Sequence, residues 1–362
     1  MGKKSRSKRV HQRGAEARPL RAWEQEFLRP AHGPDGLPAA TARVYAAAPL
    51  AVPIPGGRAS EVADDWYVAE GKRGQRLLDA GRVDEATTLF ESILVRLGNA
   101  PGFGRAVILG RLARCLHVHG KLELAVSRLR EALELSARLA PSTGVRSLCG
   151  TLHSELGDAL AASARHGEAR EAYAAALEIA RELGDRRGQG VDLAHLGEVA
   201  LAQGEFAEAL ERYEAARDVF QQLGEGAQEA ITWQQMGRLF EARQQWDDAE
   251  RHYSEAARIS EQHGNLKKVA SICHKLGGLS EQRGRPKAAE RWYRKAIDAD
   301  RGCGDRTRLA RHLGSLARLL RDAAGRPVEA RQLAEEALAV AQALDPAVAD
   351  FWHGYGRLAD ML

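Results

Sequence analysis

The chain has 362 residues, of which 53 are Lys or Arg and 49 are Asp or Glu, so its formal net charge is +4. Hydrophobic residues make up 44% and charged residues 28%, which excludes a wholly disordered chain. No run of about 18 apolar residues occurs, so we exclude a transmembrane helix. Four cysteines are too few for a disulfide framework, and no apolar stretch of signal-peptide length follows the basic start. We therefore expect a cytoplasmic protein.

Residues 1–60 differ in composition from the rest of the chain. Seven of the twelve prolines lie here, and 11 basic residues stand against 4 acidic ones, whereas the remainder has 42 against 45. We predict a basic, Pro-, Gly- and Ala-rich segment that is largely irregular. Only residues 19–29 show helical spacing of apolar residues, and that stretch either tucks onto the body of the protein or docks another chain.

The first thirteen residues carry a run of basic side chains with no acid among them. These are Lys3, Lys4, Arg6, Lys8, Arg9 and Arg13. Such a run is either a solvated tail or an electrostatic binding site for nucleic acid, anionic lipid or an acidic protein surface.

From residue 61 onward one motif recurs about every 40 residues. It consists of an Ala, an aromatic residue or Leu four positions later in most copies, and usually another Ala seven positions later. The seven copies begin at Ala86, Ala125, Ala169, Ala209, Ala249, Ala289 and Ala330. A small residue, Gly in five copies, lies twelve or thirteen positions before that Ala. Small residues let two helices approach closely while the ring fills the space beside them, so each copy is predicted to be an antiparallel helix pair. The wider spacing between Ala125 and Ala169 predicts a longer loop there.

This pattern resembles that of tetratricopeptide repeat (TPR) proteins. The fifth copy carries the family pattern nearly complete, as Trp233, Met236, Gly237, Phe240, Ala249, Tyr253 and Ala256. The long period is similar to that of kinesin light chains and of bacterial regulatory TPR arrays. The resemblance implies an all-α fold, a right-handed α-solenoid of about seven antiparallel helix pairs over residues 61–346. Residues 347–362 are predicted to form a C-terminal capping helix, with a partner-docking helix as the alternative.

No catalytic signature accompanies the repeats. The sequence holds no P-loop, no G-x-S-x-G, no H-E-x-x-H and no Cys-x2-Cys. Cys115 and His119 share a helix face, as do Cys149 and His153, but the two pairs fall at opposite ends of their predicted helices, and four zinc ligands are hard to assemble from them. We therefore predict a protein that is not an enzyme and that uses neither a metal nor another cofactor.

In TPR proteins the first helix of each pair lines a concave groove, and the resemblance implies where a partner would bind. Carried over position by position, the groove residues are Lys72, Gln75, Arg111, Arg114, His117, Ser154, Glu155, Asp158, His195, Glu198, Gln234, Gln235, Arg238, Glu241, His274, Lys275, Glu281, Arg311, Arg318 and Arg321. Basic ends and an acidic centre would suit a peptide or helix of mixed charge. At each position the alternative is an ordinary solvated helix face.

The sequence thus predicts a non-enzymatic scaffold, adaptor or regulatory subunit that binds a partner peptide or helix in this groove. The alternative is a nucleic-acid-associated protein, tethered by its basic N-terminal tail while the array recruits partners. The sequence leaves the partner's identity and the oligomeric state open.

Overall fold

The computed structural model describes residues 65–99 and 102–343, and this part of the chain is a succession of fourteen α-helices without a β-strand. In chain order the helices are α1 Asp65–Asp79, α2 Val83–Leu97, α3 Phe103–Val118, α4 Leu122–Ala137, α5 Thr143–Ala162, α6 His166–Glu182, α7 Arg186–Ala202, α8 Phe206–Leu223, α9 Gly226–Ala242, α10 Trp246–Gln262, α11 Leu266–Gln282, α12 Pro286–Cys303, α13 Arg306–Asp322 and α14 Pro327–Gln342. The N-terminal segment at 1–60, with its short predicted helix at 19–29, and the predicted cap at 347–362 lie outside the described residues.

The helices pack as seven consecutive pairs, called units 1 to 7 below, each with a first and a second helix. Both helices of a unit contact each other, and the second helix also contacts the first helix of the next unit. First helices of neighbouring units meet as well, as α1 does with α3 and α3 with α5. Tight turns join most partners, so consecutive helices run antiparallel. The structure confirms the predicted α-solenoid of antiparallel helix pairs.

The repeated motif forms the core of every unit. All seven motif alanines are fully buried, and so are the rings of Phe90, Tyr173, Tyr213, Tyr253 and Tyr293, each at most 2% exposed. The ring lies directly against the small residue of the first helix. A Cβ built on Gly157 would lie 2.5 Å from Cε1 of Tyr173, and Gly74, Gly197, Gly237 and Gly277 face their rings in the same way. Glycine at these positions is therefore required by close helix contact.

The wider spacing between the second and third motifs is shared between a loop and a helix. The loop before α5 occupies residues 138–142, whereas residues 183–185 suffice at the next unit boundary. Helix α5 is also longer, with 20 residues against 17 in α7. The predicted longer loop is present, but the helix takes up part of the extra length.

The turn within each unit uses one residue with a positive φ. Gly81, Gly120, Gly204, Gly284 and Gly325 fill this place with φ between +62° and +78°. Units 3 and 5 place Ala164 (φ 58°) and Gln244 (φ 57°) there instead. The left-handed conformation crowds a Cβ against the backbone, so these two turns are strained.

We expect Gln244→Gly to stabilise the protein by about 1 kcal/mol, because glycine adopts the left-handed conformation without a steric cost. Urea denaturation of the variant measures the change in the free energy of unfolding. The reverse exchange one unit earlier, Gly204→Gln, is the matched control and should destabilise by a similar amount, about 1 kcal/mol. Equal stability of both variants and the parent protein would show that the turns carry no strain.

Candidate partner-binding face

The side chains of the first helices meet from unit to unit and form one polar surface, which we call the inner face. Arg114 of α3 forms an ion pair with Glu155 of α5. The hydroxyl of Ser154 donates to Asp192 of α7 at 2.8 Å. These contacts follow the chain through successive units because the first helices lie side by side.

The carboxylates of the inner face are engaged within the protein. The hydroxyl of Tyr173 donates to Asp158 at 2.7 Å, and that of Tyr253 donates to Glu241 at 2.6 Å. Both tyrosines belong to the repeated motif in a second helix. Their hydroxyl groups contact the first helix of the same unit. Burial and the neighbouring Glu241 carboxylate raise the pKa of Tyr253.

The same use of carboxylates continues in units 4 and 6. Glu281 accepts from Tyr293 in its own unit and from Arg318 of α13, the latter at 2.9 Å. Glu198 of α7 accepts from Gln235 of α9. The acidic centre expected from the sequence is therefore largely occupied by internal hydrogen bonds and ion pairs.

His195 lies at the junction of units 3 and 4 and is only 2% exposed. Its ring stacks on Tyr173 with centroids 4.8 Å apart. Its Nε2 lies 3.8 Å from Asp158 Oδ1, and its Nδ1 lies 3.6 Å from Glu198 Oε2. Burial lowers the pKa of His195, but the carboxylates, Asp158 foremost, outweigh it and raise that pKa to about 9.

Asp192 is buried beside this histidine, and burial raises its pKa from 3.8 to about 7. A folded-state pKa above the unfolded value means that the folded protein binds more protons, so this contribution to stability is lost as the pH rises from about 4 to about 7.

In Asp192→Asn the amide keeps an acceptor for Ser154 and has no charge to bury. We expect the free energy of unfolding to fall less in the variant than in the parent as the pH rises. From pH 4 to pH 8 the difference between the two proteins should shift by roughly 1 to 2 kcal/mol in favour of the variant. Urea unfolding across this pH range checks it, and parallel stability curves would contradict it.

The other carried-over residues occupy varied environments. Gln234 is buried, and Arg238 donates to Gln235 at 2.8 Å. His274 of α11 stacks on His312 of α13, with ring centroids 4.4 Å apart. Lys72 is exposed at the start of the array. All these residues belong to first helices, but whether they bind a partner stays a prediction.

Two half-buried lysines of the inner face have no carboxylate partner among the described residues. Lys275 and Lys268, both half-buried on α11, form no ion pair within the described residues, and burial lowers the pKa of each to about 8. Position-by-position transfer from the family missed Lys268. The signal that finds it is its spacing, seven residues before Lys275, which places both on one face of a helix.

Within the described residues no group of three or more His, Cys, Asp or Glu side chains is arranged to hold a metal ion. The thiols of Cys115 and Cys273 are buried, which raises the pKa of the first to about 11 and of the second to about 12. Thiols with such pKa values are poor nucleophiles at neutral pH. None of the helices in the described part of the chain combines the length and apolar character needed to cross a membrane. The basic tail from Lys3 to Arg13 lies outside the described residues, so its role stays a prediction.

Stacked helix pairs whose first helices share one polar face define a helical-repeat protein. The model of the tetratricopeptide repeat family matches residues 148–222, 191–262 and 268–343, together more than half of the chain. The chain therefore belongs to the tetratricopeptide repeat family. None of the curated proteins is similar enough in sequence to count as a match.

Solved structures with a similar fold include a signal transduction ATPase, a phosphatase and a quorum sensor. A signal transduction ATPase with a tetratricopeptide repeat sensor from Pyrococcus horikoshii has 18% identity and a TM-score of 0.63, covering 80% of this chain and 44% of that one. Aspartyl phosphate phosphatase F from Bacillus subtilis has 12% identity and a TM-score of 0.54, over 85% and 83% of the two chains. The quorum sensor NprR from B. thuringiensis, in its apo form, has 14% identity and a TM-score of 0.52, over 82% and 87%. At these identities the likeness shows the fold alone.

Proposed function

We propose that the protein is a non-enzymatic scaffold or regulatory subunit that binds a peptide or helix of another protein along its inner face. The observation that carries this proposal is the continuity of that face. Polar side chains of first helices are linked by ion pairs and hydrogen bonds from unit 2 through unit 5 and between units 6 and 7, as between Arg114 and Glu155. A prearranged polar surface lowers the ordering cost of binding.

Two of the structural neighbours support this reading through their names, which describe a repeat sensor and a quorum sensor. We infer a cytoplasmic location, because all four cysteines are free thiols, which suits a reducing compartment. We also propose that the array extends over residues 61–346 and that residues 347–362 cap its last unit, since a terminal unit otherwise exposes an apolar face.

The proposal is tested by affinity capture with three matched proteins. The inner-face variant combines Lys72→Glu, His117→Glu and Lys275→Glu, at residues that form no ion pair with another described residue. The control variant reverses three charges on second helices, Glu91→Lys, Glu134→Lys and Glu211→Lys, which are exposed. Quantitative mass spectrometry compares the captured proteins, and circular dichroism confirms that each variant is folded.

We expect a discrete partner to be captured by the parent and the control but reduced at least tenfold with the inner-face variant, because three new negative charges disrupt the electrostatic complementarity of the face to its partner. Equal capture by all three proteins would show that the partner uses another surface. If the parent captures no partner above background, the scaffold function is wrong.

A further inference from the structure

Lys268 and Lys275 lie on the same side of α11, and both belong to the inner face. Seven residues are close to two helical turns, so their side chains emerge one above the other, about 10.5 Å apart along the axis. The Nζ of Lys275 lies 5.8 Å from the centroid of the Tyr253 ring. Arg238 and Glu241 of α9 are its charged neighbours, and those of Lys268 are Lys275 and Glu198.

Neither lysine is neutralised by the carboxylates around it. Glu241 already accepts from Tyr253, and Glu198 accepts from Gln235 and lies beside His195. Elsewhere on the inner face, Arg114 and Arg318 each meet a carboxylate directly. Half-burying two ammonium groups without such a partner is unfavourable, and their lowered pKa values reflect it.

We infer that this part of the inner face binds an acidic peptide segment whose two carboxylates neutralise Lys268 and Lys275. A peptide with two acidic residues supplies the carboxylates that the two lysines lack. A nucleic acid fits less well, because Glu198 and Glu241 flank the lysines and repel a dense row of phosphates. The inference rests on the proposed function and names the chemistry of its partner.

The spacing of the lysines also constrains the peptide. In an extended polyproline-II chain, residues i and i+3 lie on the same side and about 9 Å apart. This matches the separation of the two lysines along α11. The motif expected is therefore an Asp or Glu at each end of a four-residue stretch.

The test selects random twelve-residue peptides displayed on phage against the full chain. The same selection is made with Lys268→Gln/Lys275→Gln, and with a control, Lys267→Gln/Lys287→Gln, which removes two exposed charges from the same unit. The preferred peptide and its Asp→Asn, Glu→Gln counterpart are then synthesised with a fluorophore, and affinities are measured by fluorescence anisotropy. A labelled single-stranded DNA of twenty nucleotides is measured in parallel.

We expect the parent to select peptides with paired acidic residues, and the Lys268/Lys275 variant to bind them at least tenfold more weakly, as expected for charge-assisted contacts. The control variant should bind within twofold of the parent, and the amide counterpart should lose affinity on the parent protein. Peptides without acidic residues, or acidic peptides that bind both variants alike, would overturn this inference and leave peptide binding intact. Tighter DNA binding that requires the two lysines would also overturn it. Failure of the parent to select any peptide would count against the proposed function, and the inference would fall with it.

Discussion

Gly277→Ala should destabilise the protein by about 2 kcal/mol, whereas Gly278→Ala, one residue later in the same helix, should stabilise it by up to about 1 kcal/mol. A Cβ on Gly277 would lie 2.5 Å from Cε1 of Tyr293, whose ring is buried and cannot move aside. On Gly278 the nearest atom is the Tyr293 hydroxyl oxygen at 3.8 Å, which is ordinary contact. The second exchange therefore gains helix propensity without a clash.

The two variants differ only in which face of α11 receives the methyl group, so each controls for the other. Urea denaturation followed by far-UV circular dichroism gives both free energies of unfolding. Similar stability changes at the two positions would show that ring and glycine are not in close contact. That result would remove the main reason for the glycine in five of the seven repeats.

Asp300→Ala should destabilise the protein by about 3 kcal/mol, because it leaves the buried His312 without a carboxylate and takes one of two carboxylates from the half-buried Arg308. Asp300 of α12 is fully buried, with one oxygen 3.1 Å from Nε of Arg308 and the other 2.6 Å from Nδ1 of His312. Both partners belong to α13, so this carboxylate joins unit 6 to unit 7. We expect amide hydrogens of α13 and α14 to exchange with solvent much faster in the variant, while those of units 2 to 4 change little.

Asp298→Ala is the matched control for this substitution. Asp298 is in the same helix, its side chain is 76% exposed, and its ion pair with Arg301 is long at 3.8 Å. A surface pair of this kind contributes between zero and about 1 kcal/mol. Comparable destabilisation by both variants would contradict the special role of the buried carboxylate.

The sequence was sufficient to predict the helix pairs and the core because both depend on local spacing. A small residue, a ring and an alanine at fixed intervals define which faces of two adjacent helices meet, and the motif recurs seven times. The strained turns were less visible, since nothing in the identities of Ala164 and Gln244 marks a positive φ. There the position within the repeat, occupied by glycine elsewhere, is the informative signal.

The location of the candidate site on the first helices could be predicted, but which of its charged side chains are already paired within the protein could not. Transfer of family positions correctly placed the polar residues on first helices. It could not show that Asp158 and Glu241 are hydrogen-bonded to motif tyrosines, because these bonds depend on how far a ring penetrates between two helices. Nor could it show that Lys268 forms no ion pair in the described part of the chain, since that depends on side chains of units 4 and 5 that are distant in sequence.

The pattern of helix contacts has a consequence for how the protein forms. Among the described helices, those with substantial contact are next or next-but-one neighbours along the chain. Each helix pair therefore needs only residues that have already been synthesised to complete its contact with the pair before it. Arrays dominated by such local contacts fold quickly. The protein can assemble on the ribosome one pair at a time, from α1 and α2 toward α13 and α14. Each folded pair then provides the surface on which the next pair packs.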